Sequence, residues 1–119
     1  MLPAAARMRK RSEFARTTRA GRRAGRSLLS AHLLQTGHDE PARVGFAVNR
    51  KVGGAVVRNK VRRRLRHLAR GYLGSLPEGS LLVVRANPRA ATACQADLAA
   101  ELDLVIHALL RRQGGAQRP

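Results

Sequence analysis

Apolar residues along the chain fall into two rhythms, alternate positions and every third or fourth position, and the changes between them divide it into elements. Residues 12–20 (SEFARTTRA) read as a short helix, with Ser12 as N-cap, Glu13 in the first turn and Gly21 suited to a left-handed C′ position. Phe14 lies on that helix. Residues 28–36 (LLSAHLLQT) and 42–49 (ARVGFAVN) read as strands. The intervening Gly37-His38-Asp39-Glu40-Pro41 is rich in turn formers, which predicts a hairpin. In the second strand Val44, Phe46 and Val48 alternate with Gly45, Ala47 and Asn49. One face is therefore buried, and the other is small enough for something flat to lie on it.

From residue 56 the rhythm becomes helical, with Val57, Val61, Leu65, Leu68 and Tyr72 forming one stripe as far as Gly71, Gly74 and Pro77. Residues 80–85 (SLLVVR) are an apolar run of strand length, ended by Asn87-Pro88. Leu98, Leu102, Val105 and Leu109 then place a helix over 92–112. It begins either with a Thr92/Gln95 capping box or at Cys94, and Gly114-Gly115 closes it. The predicted order is helix, strand, strand, helix, strand, helix, with room for an extra strand near 22–27. A chain of 119 residues holds one core. The expected organisation is a basic flexible arm over 1–11, a single domain over 12–112 and a flexible tail over 113–119.

Charge changes this picture most. The 24 Lys and Arg against 7 Asp and Glu give a net charge of +17, and Lys10, Lys51 and Lys60 are the only lysines. Such self-repulsion gains a fold nothing, whereas a polyanion releases counterions for each phosphate neutralised. The excess of Arg fits, because guanidinium pairs bidentately with phosphate and stacks on bases. Only Phe14, Phe46 and Tyr72 are aromatic, so the core is aliphatic. Residues 1–26 contain no unbroken apolar run, and no window approaches the roughly 20 apolar residues that span a bilayer. A cytoplasmic protein without membrane contact is expected. Cys94 is alone, which excludes an internal disulfide.

The basic residues crowd into 49–70, NRKVGGAVVRNKVRRRLRHLAR. Arg58, Arg62, Arg66 and Arg70 each follow a residue of the apolar stripe, and Arg63 and Arg64 widen the surface. Like charges four apart cost a few tenths of a kcal/mol per pair, with almost no acid nearby to offset them. A solvated face alone does not explain that cost; a bound polyanion does. Asn59 adds an amide that donates and accepts, suited to phosphate and ribose, or else to a local N-cap.

The segment KVGGAVVRNKVRRRLR at 51–66 resembles the signature K-x-G-x-A-V-x-R-N-R-x-K/R-R-x-x-R of the bacterial ribonuclease P protein components. The basic N-terminal arm, Glu13-Phe14, the RVGFAV strand at 43–48 and the C-terminal amphipathic helix agree, so the resemblance spans about residues 7–112. It implies an α+β sandwich: a mixed four-stranded sheet packed with helices, ribosomal-protein-like in topology, with a left-handed crossover between parallel strands. It implies that an RNA subunit is the catalyst, using magnesium to remove the 5′ leader of precursor tRNA. The protein then supplies no catalytic residue, binds no cofactor or metal by itself, and has the catalytic RNA and precursor tRNA as partners. By the same resemblance Lys51, Arg58, Asn59, Lys60, Arg62, Arg63 and Arg66 bind RNA, while Phe14 and Lys51 edge a cleft for the single-stranded leader. Three departures stand out. Lys60 replaces an Arg of the R-N-R core, Thr18 stands where many relatives carry a second aromatic, and the place of a frequent Tyr falls near Ala31 or His32. Phe14 is then the main stacking candidate, or simply core.

Other classes fit less well. A ribosomal protein binding rRNA shares the composition and is the alternative. The RVGFAV strand lacks the exposed aromatics of an RNA-recognition motif. A DNA-binding helix-turn-helix needs a second helix three or four residues away. A protein nuclease needs clustered acids or paired His, whereas Asp39, Glu40, Glu78, Asp97, Glu101 and Asp103 are dispersed and His32, His38, His67 and His107 lack ligand spacing. No protein partner is evident.

Overall fold

The computed structural model describes residues 2–117, with side chains described through Arg111. Three helices, α1 (Arg11–Ala20), α2 (Ala55–Arg70) and α3 (Gln95–Gln117), accompany four strands, β1 (Arg22–Gly25), β2 (Leu29–Gln35), β3 (Arg43–Ala47) and β4 (Ser80–Ala86). The strands form one mixed sheet in the order β1-β2-β4-β3. β1 and β4 flank β2 antiparallel, and β3 lies parallel to β4, reached through α2. This is the predicted α+β sandwich. α3 runs past Arg112, where the sequence places its end. Residues 118 and 119 of the predicted tail lie outside the described residues.

The predicted hairpin between β2 and β3 does not form. β2 instead makes its hairpin with β1, the extra strand near 22–27, and β4 enters between β2 and β3. The reason is burial: Leu81, Leu82, Val83 and Val84 are all buried, so β4 is apolar on both faces and takes a central place. The loop after β2 wraps over the entry to β4. Gly79 accepts from Thr36 N and Oγ1 at 3.1 and 2.9 Å and donates to Glu40 O at 2.7 Å. Its φ of +77° and the closeness of His38 O leave no place for a side chain there.

One face of the sheet carries Leu29, Ala31, Leu33, Leu82, Val84 and Ala86 against α2 and α3, in the principal core. α2 contributes Val61, Leu65 and Ala69, and α3 contributes Leu98, Leu102, Val105, Ile106 and Leu109. Each such side chain contributes about 1.5–3 kcal/mol by leaving water. Val57, predicted to head the α2 stripe, is 36% exposed, because the helix has not yet reached the sheet at that turn. On the other face Leu81 and Val83 form a smaller cluster with Met8, Phe14, Leu34 and Ala47 beneath α1.

The chain itself supplies the flat group that lies on the small-residue face of β3: the Phe14 ring occupies the space a Cβ on Gly45 would take. Gly21 is extended, at φ −76°, rather than left-handed. It is required for another reason, since a Cβ there meets Thr17 O and Leu33 O where α1 turns into β1. Nor does Ser12 cap α1. Lys10 occupies that position with no side-chain cap, and the Arg43 to Glu13 ion pair fastens the helix to β3. Residues 2–8, expected to be a flexible arm, are laid along the edge of β3. Met8 N donates to Val44 O at 3.0 Å, Arg7 bridges to Val44 in parallel, and Leu2, Ala6 and Met8 are buried. Three apolar residues among the basic ones suffice to dock the segment.

Candidate nucleic-acid interface

α2 is held at a fixed rotation by Val61, Leu65 and Ala69, and the residue after each apolar position is carried about 100° round the axis. Gly54 is the N-cap residue, so Asn59 sits inside the helix and does not cap it. Its Oδ1 accepts from Arg62 Nη1 at 3.0 Å, which orients the guanidinium and leaves the amide nitrogen of Asn59 for a partner. Asn59, Arg62, Arg63, Arg66 and His67 together line a groove of about 470 Å³. Arg64 points elsewhere: its Nη1 donates to Ala93 O at 3.2 Å and ties α2 to the start of α3.

A second cleft, of about 370 Å³, opens where the N-terminal segment, β3 and α2 meet. Arg7, Arg9, Arg62 and Arg66 surround it, and Phe14 and Gly45 belong to its wall. A third, of about 470 Å³, runs between α1 and the sheet along Arg11, Phe14, Thr18, Arg19, Val83 and Arg85. Phe14 thus lines both clefts while packing on the Met8, Leu81 and Val83 cluster, so it is partly core and partly accessible.

The structure brings together Asn59, Arg62, Arg63 and Arg66, and joins them to Phe14 through the shared wall of Arg62 and Arg66. It does not bring Lys51 to Phe14. Lys51 is exposed on the turn before α2, its backbone N bonded to Asn49 Oδ1 at 3.0 Å, and it lines neither cleft beside the ring. Lys60 is exposed away from the groove residues, and Arg58 is half-buried with its Nε in contact with no acceptor among the described residues. Arg7, Arg9 and Arg85 join the site unpredicted. The alternation Leu81, Val83, Arg85 carries the signal for Arg85, and the apolar Leu2, Ala6 and Met8 carry it for Arg7.

Burial, then Arg7 and Arg62, lowers the affinity of Arg66 for its proton. The guanidiniums are therefore close enough to repel. His32, buried on β2, is pushed below its ordinary value by burial and by Arg23 and Arg85, so it is neutral at pH 7. No group of three or more His, Cys, Asp or Glu side chains that could hold a metal occurs among the described residues, and no helix among them is long and apolar enough to cross a membrane.

The family model for Ribonuclease P matches residues 2–110. The chain belongs to the ribonuclease P protein family. The ribonuclease P protein component of Streptomyces avermitilis is 51% identical, with 99% of this chain and all of that protein covered. That of Thermobifida fusca is 52% identical over 96% of this chain and 82% of its own length. In fold, the Staphylococcus aureus RNase P protein superposes with a TM-score of 0.78 at 23% identity, covering 87% of this chain and 94% of the other. Family membership decides between the main reading and the ribosomal alternative: the chain is a ribonuclease P protein component, the protein subunit of a tRNA-processing endoribonuclease that works with an RNA subunit.

Proposed function

We propose that α2 binds the catalytic RNA through Arg58, Asn59, Lys60, Arg62, Arg63 and Arg66, and that the clefts beside Phe14 receive the 5′ leader of precursor tRNA. The observation that carries this reading is the continuity of the surface. The α2 groove and the Phe14 cleft share Arg62 and Arg66, so two RNA strands, one in each, lie side by side against the same guanidiniums with no carboxylate among the described residues lining either. Phe14 offers one ring face for stacking, about 1–3 kcal/mol per base. Arg11, Arg19 and Arg85 extend the basic track on the other side of the ring. Lys51, exposed on its turn, adds charge to the approach rather than to the cleft wall.

The contribution to catalysis is positional and electrostatic. Two RNAs repel, and fixed guanidiniums between them lower that repulsion before the reacting groups meet. Chemistry then rests with magnesium held by the RNA subunit, the protein binding no metal of its own, and the reaction belongs to the cytoplasm. Reconstitution tests this: the protein is expected to restore precursor cleavage by its cognate RNA at magnesium too low for the RNA alone. Failure to do so sinks the reading.

A further inference from the structure

We propose that the outer face of α3 is an interface for a second copy of this chain, the two α3 helices packing antiparallel about Leu104. The surface lies apart from the RNA-binding residues above and does not depend on that reading.

The core residues of α3, from Leu98 to Leu109, take one side of the helix and leave the other to solvent. Along that outer side Asp97, Ala100, Leu104 and Arg111 are exposed and follow at intervals of three, four and seven residues, which places them on one stripe. Leu104 is 48% exposed; Val56 and Val57 of α2 aside, it is the large apolar side chain that the described residues leave in water. The stripe lines neither the α2 groove nor the clefts beside Phe14. Asp97, Ala100 and Leu104 instead border a separate groove of about 350 Å³ between α3 and the β1–β2 turn, walled by Arg26, Leu28 and Arg89.

The spacing of charge names the occupant. Asp97 and Arg111 stand seven residues either side of Leu104, and neither makes an ion pair with a described residue. An antiparallel twofold centred on Leu104 sets Asp97 of each copy opposite Arg111 of the other and brings the two leucines together. Ala100 is small enough to let the backbones close, and the groove beside each leucine has room for its counterpart. A parallel pair would set Asp97 on Asp97 and Arg111 on Arg111, so the charges choose the direction. A polyanion is disfavoured here, because Asp97, Glu101 and Asp103, three of the seven acids, lie on α3. The stripe covers about 21 Å of helix, less than a standard interface needs, and two bodies of charge +17 repel. Association is therefore weak, reversible and favoured by added salt, the reverse of RNA binding.

Sedimentation of the full chain from about 10 µM to about 1 mM tests the interface, in about 0.5 M salt, which brings the Debye length below about 8 Å. Wild type is expected to show a monomer–dimer equilibrium. Leu104→Ser, which touches no core side chain, is expected to weaken it at least roughly tenfold. Asp97→Arg and Arg111→Asp are each expected to weaken it roughly tenfold, since each sets two like-charged pairs in the dimer. Mixed in equal amounts, these two variants are expected to associate again at wild-type strength, because position 97 of each then meets an opposite charge at position 111 of the other. A local effect of either substitution would persist in the mixture. Should Asp97→Arg fail to fold, Leu104→Cys in a Cys94→Ser chain reads the axis directly: oxidation yields a covalent dimer, whereas Ala96→Cys in the same background does not. A wild type that stays monomeric throughout, association indifferent to Leu104→Ser, or folded variants whose mixture does not recover overturns the interface. So does a loss of affinity for the catalytic RNA in Leu104→Ser, which would hand the stripe to RNA.

Discussion

Arg62 and Arg64 stand two places apart on one helix and have different work. Arg62 faces the groove with Asn59 oriented upon it, whereas Arg64 donates to the carbonyl of Ala93 and fixes α2 to α3. Their alanine variants separate the two kinds of arginine. Arg62→Ala is expected to weaken RNA binding and flatten its salt dependence by roughly 0.7–0.9 while leaving thermal stability nearly unchanged. Arg64→Ala is expected to lower stability by about 1 kcal/mol and to leave the slope where it was. Melting curves and filter binding across a salt series check both, and equal slopes for the two variants would defeat the distinction. The sequence shows the row itself, since Asn59, Arg62, Arg63 and Arg66 follow from a period of 3.6. It does not show that Arg64 is spent on a backbone carbonyl, because Ala93 is 29 residues away in sequence and is brought there only by the fold. For Arg7 the buried Leu2, Ala6 and Met8 signal only that its segment docks; where it docks is not legible, because its neighbours arrive from β3 and α2.

At the scale of elements, the turn that follows α2 is clasped to α3 by a polar contact, beside the core that Leu65 and Leu102 share. Tyr72 Oη donates to Asp103 Oδ1 at 2.7 Å, and burial together with that carboxylate raises the phenol to about 12. The native phenol thus holds its proton where an unfolded one loses it. Stability from this group is complete below pH 10 and is lost as pH rises from about 10 toward 12. Tyr72→Phe is expected to lower stability at neutral pH by on the order of 1 kcal/mol and to reduce the alkaline loss. Urea midpoints at pH 8 and pH 11 measure it, and identical alkaline losses in both proteins would contradict the assignment. Helices and strands were legible from periodicity because burial repeats locally. The partner of β2 was not, since Gly37, Asp39 and Pro41 allow a reversal without requiring the next strand to pair, and the doubly buried β4 claims the place. Residues 2–8 read as a free arm in the sequence because charge masks Leu2, Ala6 and Met8, which dock them.

The whole molecule is a polycation of net charge +17 around an uncharged aliphatic core. Added salt therefore acts in opposite directions on its two equilibria. Screening shortens from about 30 Å at 0.01 M to about 10 Å at 0.1 M, so the free protein is expected to melt at higher temperature as salt rises. RNA affinity is expected to fall over the same range, by roughly 0.7–0.9 in log slope for each phosphate engaged. Parallel melting and binding series show whether the signs are opposite; a free protein destabilised by salt would mean that repulsion is not what limits it. The order of strands has one more consequence, for the moment of synthesis. β4, the centre of the sheet, is the last strand to leave the ribosome, and β2 and β3 meet only through it. Until residue 86 has emerged the nascent chain holds a lone β1–β2 hairpin, the whole of the basic helix sequence and no core to mount it on. The sheet is thus completed late and the core later still, once α3 has followed with Leu98, Leu102, Val105, Ile106 and Leu109, and until then the arginines face the RNA-filled surroundings of the translating ribosome without a scaffold.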